Sequence, residues 1–317
     1  MNADICDSFT FTDPAGYRLF AQSWLPGPAP KGIVEIAHGM NESTSYYSEF
    51  VSALCGAGYG VYINDARGHG RTAGPPHSPE FEKNAGEAGP DGFNGMVDDL
   101  RLLRGIIAGR HPKVPVFLLG HSMGSLLSRL YAAKYGETLS GLIYSGTAGP
   151  FQNAGALLAA AEKEEKVMGR SAVARAVPEL LFGHFNDRFE PTKTGREYMS
   201  RDEAMVADAI SSPFSPVPYR CGFFVDMARA LGTMDLPETI AAIPKGLPIF
   251  SISGSMDPLG EYGEGVPRLF SLYRGAGISD AGFIVYEGGR HEMLREINRR
   301  KVFADVVAWL DRHAAVK

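Results

Sequence analysis

Apolar positions along the chain follow two rhythms. FTFTD (9–13) and YRLFAQSW (17–24) alternate apolar and polar residues, with DPAG between them as a turn, and predict an opening hairpin. GIVEIAH (32–38), GVYIND (60–65), VPVFLLG (114–120), SGLIYSG (140–146), LPIFSISG (247–254) and GFIVYEGG (282–289) are short, nearly continuous apolar runs. Such runs mark strands buried on both faces. Between them the period changes to that of a helix. Residues 43–56 predict a helix, and MVDDLRLLRGII (96–107) sets Val97, Leu100, Leu103 and Ile107 on one face, with Asp98 and Asp99 in its first turn. Leu126, Leu127, Leu130 and Tyr131 stripe the next helix, and Val302, Phe303, Val306, Val307 and Leu310 stripe the last.

Strands alternating with helices predict an α/β fold, a mostly parallel sheet with helices on both faces. The alternation stops once. From Thr147 to about Ile243 there are helical patterns but no strand: ALLAAAEKEEKVM, AVARAVPELLF, RDEAMVADAI and YRCGFFVDMARAL, with Pro-rich SSPFSPVPY before the last. The expected organisation is a core of residues 1–146 and 244–317 with a helical cap, 147–243, inserted into it. In such sheets function gathers at the carboxyl ends of the strands.

Composition narrows the function classes. Lys and Arg number 31 against 36 Asp and Glu, a net charge of −5 with no basic tract, which leaves no electrostatic footprint for nucleic acid. Cys6, Cys55 and Cys221 are too few and too far apart for a disulfide framework or a metal knuckle. MNADICDSFT lacks the basic-then-apolar pattern of a secretion signal, and no apolar run has the length of a membrane span. A soluble, cytoplasmic protein is the expectation.

The chemistry centres on Gly120-His121-Ser122-Met123-Gly124, a G-x-S-x-G motif with a predicted strand before it and a predicted helix after it. A sharp strand-to-helix corner lifts the serine hydroxyl clear of the sheet, and the flanking residues must be small because the chain packs tightly there. A serine hydroxyl needs a base, and the base an acid to orient it. In hydrolases of this topology the order is Ser, Asp or Glu, His. His184, His291 and His313 follow Ser122. His184 falls in the cap and His313 in the last turn of the closing helix, where it reads as solvated. His291, in EGGRHEML just beyond the last strand, is the expected base. Asp257, in SGSMDP after the strand 247–254, is the expected acid, with Glu261 and Glu264 as fallbacks. The backbone N–H groups of Met123 and of Met40, in the loop His38-Gly39-Met40, are the expected oxyanion donors. His38 is expected to be a packed loop residue.

HGM (38–40), NDARGHGRT (64–72), GHSMGS (120–125), GSMDP (254–258) and GGRHEML (288–294) resemble the α/β-hydrolase superfamily, and within it the serine-aminopeptidase-like branch that holds monoacylglycerol lipases and bacterial lysophospholipases. The resemblance runs over essentially the whole chain. It implies a Ser122–Asp257–His291 triad, the two oxyanion donors, a helical cap and no cofactor or metal. It also implies a serine esterase or lipase that cleaves single-chain lipid esters, or small esters, through an acyl-enzyme. Ser125 departs from the glycine many relatives carry. An aminopeptidase or amidase using the same triad, or a non-catalytic ligand-binding module on this fold, are the alternatives.

Other signals are weaker. Gly68 to Ala73 fits G-x-G-x-x-A, but Gly74-Pro75-Pro76 follows, so no dinucleotide-binding helix is expected; Arg67 is expected to pair with Asp65. His291-Glu292 does not continue as H-E-x-x-H, so no zinc site is expected. Residues 72–95 are long for a loop and read as a rim of the entrance or a solvated excursion. Glu162 and Lys166 read as an i, i+4 pair on a solvated helix face. Phe182, Phe185, Phe214, Tyr219, Phe223 and Phe224 make the cap aromatic, as packing or as the wall of an acyl pocket.

Overall fold

The computed structural model describes residues 5–151 and 153–315; the secretion-signal reading of the N-terminus falls partly on residues 1–4, outside the described residues. Eight strands form one sheet: β1 (Ile5–Thr12), β2 (Arg18–Leu25), β3 (Gly32–Ala37), β4 (Tyr59–Asn64), β5 (Val116–His121), β6 (Gly141–Ser145), β7 (Ile249–Gly254) and β8 (Ala281–Tyr286). Their order is β1-β2-β4-β3-β5-β6-β7-β8. The hairpin β1–β2 and the pair β2–β4 are antiparallel, and the remaining neighbours are parallel. The helices are α1 (Ser48–Gly56), α2 (Gly70–Ala73), α3 (Pro79–Asn84), α4 (Gly92–Arg110), α5 (Met123–Tyr135), α6 (Ala154–Met168), α7 (Ala176–Phe182), α8 (Glu203–Ser211), α9 (Cys221–Thr233), α10 (Pro237–Ala242), α11 (Gly265–Gly275) and α12 (Arg299–Ala314).

Side chains alternate across each strand, so a run that is apolar throughout must be covered on both sides. Phe117 and Leu119 of β5 pack with Phe50, Val51 and Leu54 of α1 and with Val302, Val306 and Leu310 of α12. Leu118 points the other way, into a cluster with Val97 and Leu100 of α4, Leu127 and Tyr131 of α5 and Leu269 of α11. The stripes read on α4 and α12 are the faces that are buried, each large apolar side chain contributing about 1.5–3 kcal/mol. No helix among the described residues is long and apolar enough to cross a membrane.

Several local expectations need correction. Residues 44–47 form a 3₁₀ turn before α1. Helix α4 starts at Gly92, so Asp98 and Asp99 stand further in than its first turn. Asp99 is buried, and there it holds Arg67: Nε and Nη2 reach its two oxygens at 2.6 and 2.9 Å, while Nη2 also reaches Asp13 at 2.6 Å. The expected Arg67–Asp65 pair does not form. Asp65 instead accepts the N–H groups of Thr44 and Arg71, each at 2.6 Å. A helix does open after Gly68-His69, but α2 is one turn long and its start is filled by the Asp65 carboxylate. Residues 72–95 are not a free excursion: they hold the end of α2, all of α3 and the start of α4, Arg220 binds the Ala85 and Glu82 carbonyls, and none of them lines the cavity described below.

Between β6 and β7 the described chain has helices and loops but no strand, only one bridge, Val173–Arg220. AVARAVPELLF is helical only from Ala176, because Glu164 of α6 accepts the N–H groups of Arg175, Ala176 and Val177 and so supplies the start of α7. Helix α10, begun by Pro237, is too short to leave a periodic signal. Glu162 pairs with Arg229 of α9 at 3.0 Å rather than with Lys166.

Candidate active site

The carboxyl ends of β5, β6 and β7 meet at one edge of the sheet, and there the chain turns sharply from β5 into α5. Ser122 sits at the corner with φ 51° and ψ −118°, a strained conformation for a residue with a side chain. Its N–H donates to Ser145 O at 3.0 Å, and its carbonyl accepts from Ser125 N at 2.9 Å and Ser125 Oγ at 2.6 Å. Ser125, the departure from the family pattern, thus braces the corner and lies 2.9 Å from the Thr147 hydroxyl. Glycine is required on both sides. A Cβ at Gly120 would lie 2.3 Å from Gly124 O, and one at Gly124 would lie 1.9 Å from Ala37 O on β3.

The structure brings the three expected residues together. Asp257 lies just after β7, fully buried, its Oδ1 accepting the Leu259 N–H at 2.9 Å. His291, between β8 and α12, places Nδ1 3.0 Å from Asp257 Oδ1 and Nε2 2.9 Å from Ser122 Oγ. The carboxylate can only accept, so Nδ1 carries the proton and Nε2 is free to take one from the serine. Burial alone would lower the His291 pKa; the charge and hydrogen bond of Asp257 outweigh it and hold it above 6.5. The fallbacks stay outside: Glu261 pairs with Arg268, and Glu264 precedes α11. His184 packs on Phe185. His313 is not solvated; its ring lies on Trp309, and its nitrogens meet Trp309 O and Asp280.

Met123 opens α5, so its N–H has no partner within the helix, and Met40 lines the same cavity as Ser122. Clamps from two directions fix the Met40 loop. His38 accepts the Ala66 N–H on Nε2 at 2.9 Å and stays neutral, burial lowering its pKa to about 4, which leaves it structural. From the insertion, Tyr219 accepts the Asn41 N–H at 2.6 Å, and Asn41 Oδ1 accepts the Val217 N–H at 2.8 Å.

A cluster the sequence reading missed lies behind His291. The His121 ring stands 5.1 Å from the His291 ring. Its Nε2 faces Glu42 Oε1 at 3.4 Å, and Tyr46 donates to Glu292 at 2.8 Å. Burial raises the pKa of Glu42 to about 7, raises that of Glu292, and lowers that of His121 to about 4. Glu42, His121 and Glu292 bring ligand atoms within 4.8 Å of one another, as a metal site would. Tyrosine hydroxyls and the Gly39 N–H already occupy the two carboxylates, so the group is satisfied without an ion. Each had a readable place beside an expected site residue, Glu42 after His38-Gly39-Met40, His121 before Ser122 and Glu292 after His291, but nothing in the sequence says that they meet.

Above the serine lies a cavity of about 640 Å³, the size range of a small-ligand site. The aromatic residues of the insertion divide. Phe182, Phe185, Tyr219 and Phe224 line the cavity, whereas Phe214 packs on Phe81 and Phe223 on Phe93.

This sheet, with its serine corner and its histidine and aspartate after the following strands, defines an α/β hydrolase. Residues 28–298 match the family described as serine aminopeptidase, S33, and the chain belongs to that family. It is 29% identical to a monoacylglycerol lipase of Mycolicibacterium smegmatis, covering 96% of each chain. It is 25% identical to the monoglyceride lipase of Homo sapiens, covering 95% of this chain and 89% of the other. Among solved structures it resembles a highly thermostable carboxyl esterase from Bacillus coagulans, with a TM-score of 0.89 and 30% identity over 99% of this chain and 100% of the other.

Proposed function

We propose that the chain is a serine carboxylic ester hydrolase acting on monoacyl lipids, with Ser122, His291 and Asp257 as its triad and residues 147–243 as a cap. The observation that carries this reading is the hydrogen-bonded line from Ser122 Oγ through His291 to Asp257, set below the cavity. Ser122 attacks the ester carbonyl while His291 Nε2 takes its proton. The Met40 and Met123 N–H groups hold the oxyanion. His291 then returns the proton to the leaving alcohol, and Asp257 stabilises the imidazolium in between. Water, activated by the same histidine, releases the acyl chain from Ser122.

The relatives named as lipases and as a carboxyl esterase support an ester substrate, and the aromatic wall suits an acyl chain. An aminopeptidase would need a carboxylate for the substrate's ammonium. Glu179 is available on the cavity wall, but Arg175 and Arg196 share that wall and disfavour a cation. Glu42 and Glu292 are pushed by burial toward their neutral forms. We further place the enzyme in the cytoplasm, acting on a small lipid and not on nucleic acid.

Hydrolysis of p-nitrophenyl esters from acetyl to palmitoyl tests the reading, with Ser122→Ala beside the wild type. Serine-dependent activity that peaks at medium or long chains is expected. Activity confined to acetyl and butyryl esters would remove the lipid substrate, and activity that survives Ser122→Ala would remove the mechanism.

A further inference from the structure

We propose that Glu296 is a positioning residue for His291: it ties residues 197–201, a strap from the segment between β6 and β7, to the loop that carries the histidine, and so sets where the imidazole stands between Asp257 and Ser122. The Glu296 side chain is fully buried, and its carboxylate accepts four N–H groups. Oε1 takes the backbone N–H of Arg290 and that of Arg201, each at 3.1 Å. Oε2 takes Arg201 Nε–H at 3.0 Å and the Ile297 N–H at 2.8 Å. Arg290 is the residue before His291, whereas Arg201 lies 95 residues before Glu296 in the chain. One buried carboxylate thus joins two distant stretches of backbone.

The strap holds the histidine's own main chain. The His291 N–H donates to Tyr198 O at 3.1 Å, and the Glu292 N–H to Met199 O at 2.8 Å. Arg290 Nη1 donates to the carbonyls of Glu197 and Ser200 at 2.5 and 3.2 Å, and Ser200 Oγ donates to Arg295 O at 3.0 Å. On its other side the loop lies against the sheet. A Cβ at Gly254, the end of β7, would meet Gly289 O at 2.1 Å. One at Gly146, just after β6, would meet His291 O at 2.6 Å and the ring's Cε1 and Nδ1 at 3.1 Å. His291 is gripped between the strand ends and the strap, and Glu296 fastens the strap. Both ring contacts, 3.0 Å to Asp257 and 2.9 Å to Ser122, depend on where this backbone sits. A misplacement of about 1 Å costs a reaction of this kind about 100-fold.

The chemistry of the four partners says why position 296 carries an acid. All four are donors, so the side chain must accept at both ends, which an ionised carboxylate does and an amide does not. A glutamine brings one oxygen and one NH₂, and whichever way it turns the NH₂ faces two N–H groups. In one orientation the peptide before His291 comes free. In the other the Arg201 side chain comes free, and its guanidinium also covers the same loop: a Cβ at Gly288 would meet Arg201 Nη1 at 2.8 Å. The usual conservative replacement therefore fails here.

The proposal rests on the triad read above. Glu296→Ala and Glu296→Gln, assayed well below their melting temperatures, are both expected to lower kcat about 10- to 100-fold with KM within about threefold of wild type. Leu54→Ala, in the core under α1, is the control for lost stability alone, and its kcat is expected to stay within about twofold of wild type. Wild-type kcat in Glu296→Gln, or an equal loss in Leu54→Ala, overturns the proposal. Should neither Glu296 variant fold, Arg201→Ala decides. It keeps both backbone N–H contacts to Oε1 and is expected to lower kcat about 3- to 10-fold; an unchanged kcat overturns the proposal. A readout that needs no substrate is the downfield proton resonance of His291 Nδ1–H, hydrogen-bonded to Asp257. It is expected in the wild type and is expected to broaden or vanish in Glu296→Gln; an unaltered resonance contradicts the positioning role. Absence of ester turnover in the wild type would instead remove the functional reading, leaving this resonance to decide.

Discussion

The corner at residues 120–124 and the helical segment between β6 and β7, residues 147–243, differ in how much room they leave at glycine. At the corner, main chain packs on main chain, and a single added methyl at Gly120 or Gly124 collides with a carbonyl. In the segment 147–243, a Cβ on Gly155 would meet nothing within 4 Å and one on Gly232 only the Ala154 methyl at 3.7 Å, while Gly149, Gly183 and Gly222 are closely packed. One region is specified by the backbone and tolerates almost no change. The other is specified by side chains packing on one another, with Val167 76% exposed and Leu180 58% exposed at its surface. The proposed nucleophile sits on the first, and the wall of the cavity above it is built largely from the second.

Four substitutions can break or sharpen this contrast. The largest effect is expected at Asp257→Asn, which leaves His291 in the wrong tautomer and should lower kcat by about 10³–10⁴. Its pH dependence has a definite sign. In the proposed mechanism turnover needs neutral His291, so the wild-type rate is expected to rise with pH through a pKa held above 6.5 by Asp257. Without that charge burial is opposed only by the weaker pull of Glu292 and Glu42, and the residual activity should rise at lower pH; a limb that stays in place contradicts the coupling. Next is Gly124→Ala, expected to destabilise by about 3 kcal/mol or more on denaturant unfolding and to remove activity; near-wild-type stability would show that the corner can yield. Phe182→Ala, on the cavity wall, should change kcat/KM by about 3- to 10-fold, and more for long acyl chains than for short ones. A uniform loss across chain lengths would take Phe182 out of the acyl wall. The smallest effect is Gly155→Ala on exposed α6, expected to raise stability by about 0.5–1 kcal/mol with ester turnover preserved. A destabilised variant would mean that position 155 does not lie on an open face of α6.

The same contrast explains what could be read without coordinates. Each parallel strand announced itself because β-branched residues buried on two faces leave few alternatives, as in GIVEIAH and GVYIND. Ser122 was legible from its glycines and its place between strand and helix, Asp257 and His291 from chain order. Arg67 was misassigned because its partners, Asp13 and Asp99, are brought to it by separate elements and not by sequence proximity. The start of α7 was misplaced because its cap is Glu164, on another helix. Fold alone decides which of the six cap aromatics face the cavity. The Glu42–His121 contact was invisible for the same reason: β5 and the Met40 loop are far apart in the chain and meet only at the edge of the sheet.

The central claim is that Ser122 is the nucleophile. It is tested most directly by labelling the protein with a fluorophosphonate, mapping the adduct by peptide mass and following ester hydrolysis in the same sample. The account predicts one adduct per chain, on Ser122, formed in step with complete loss of hydrolysis and absent from Ser122→Ala. An adduct on another residue that silences the enzyme, or full hydrolysis with Ser122 modified, would contradict it.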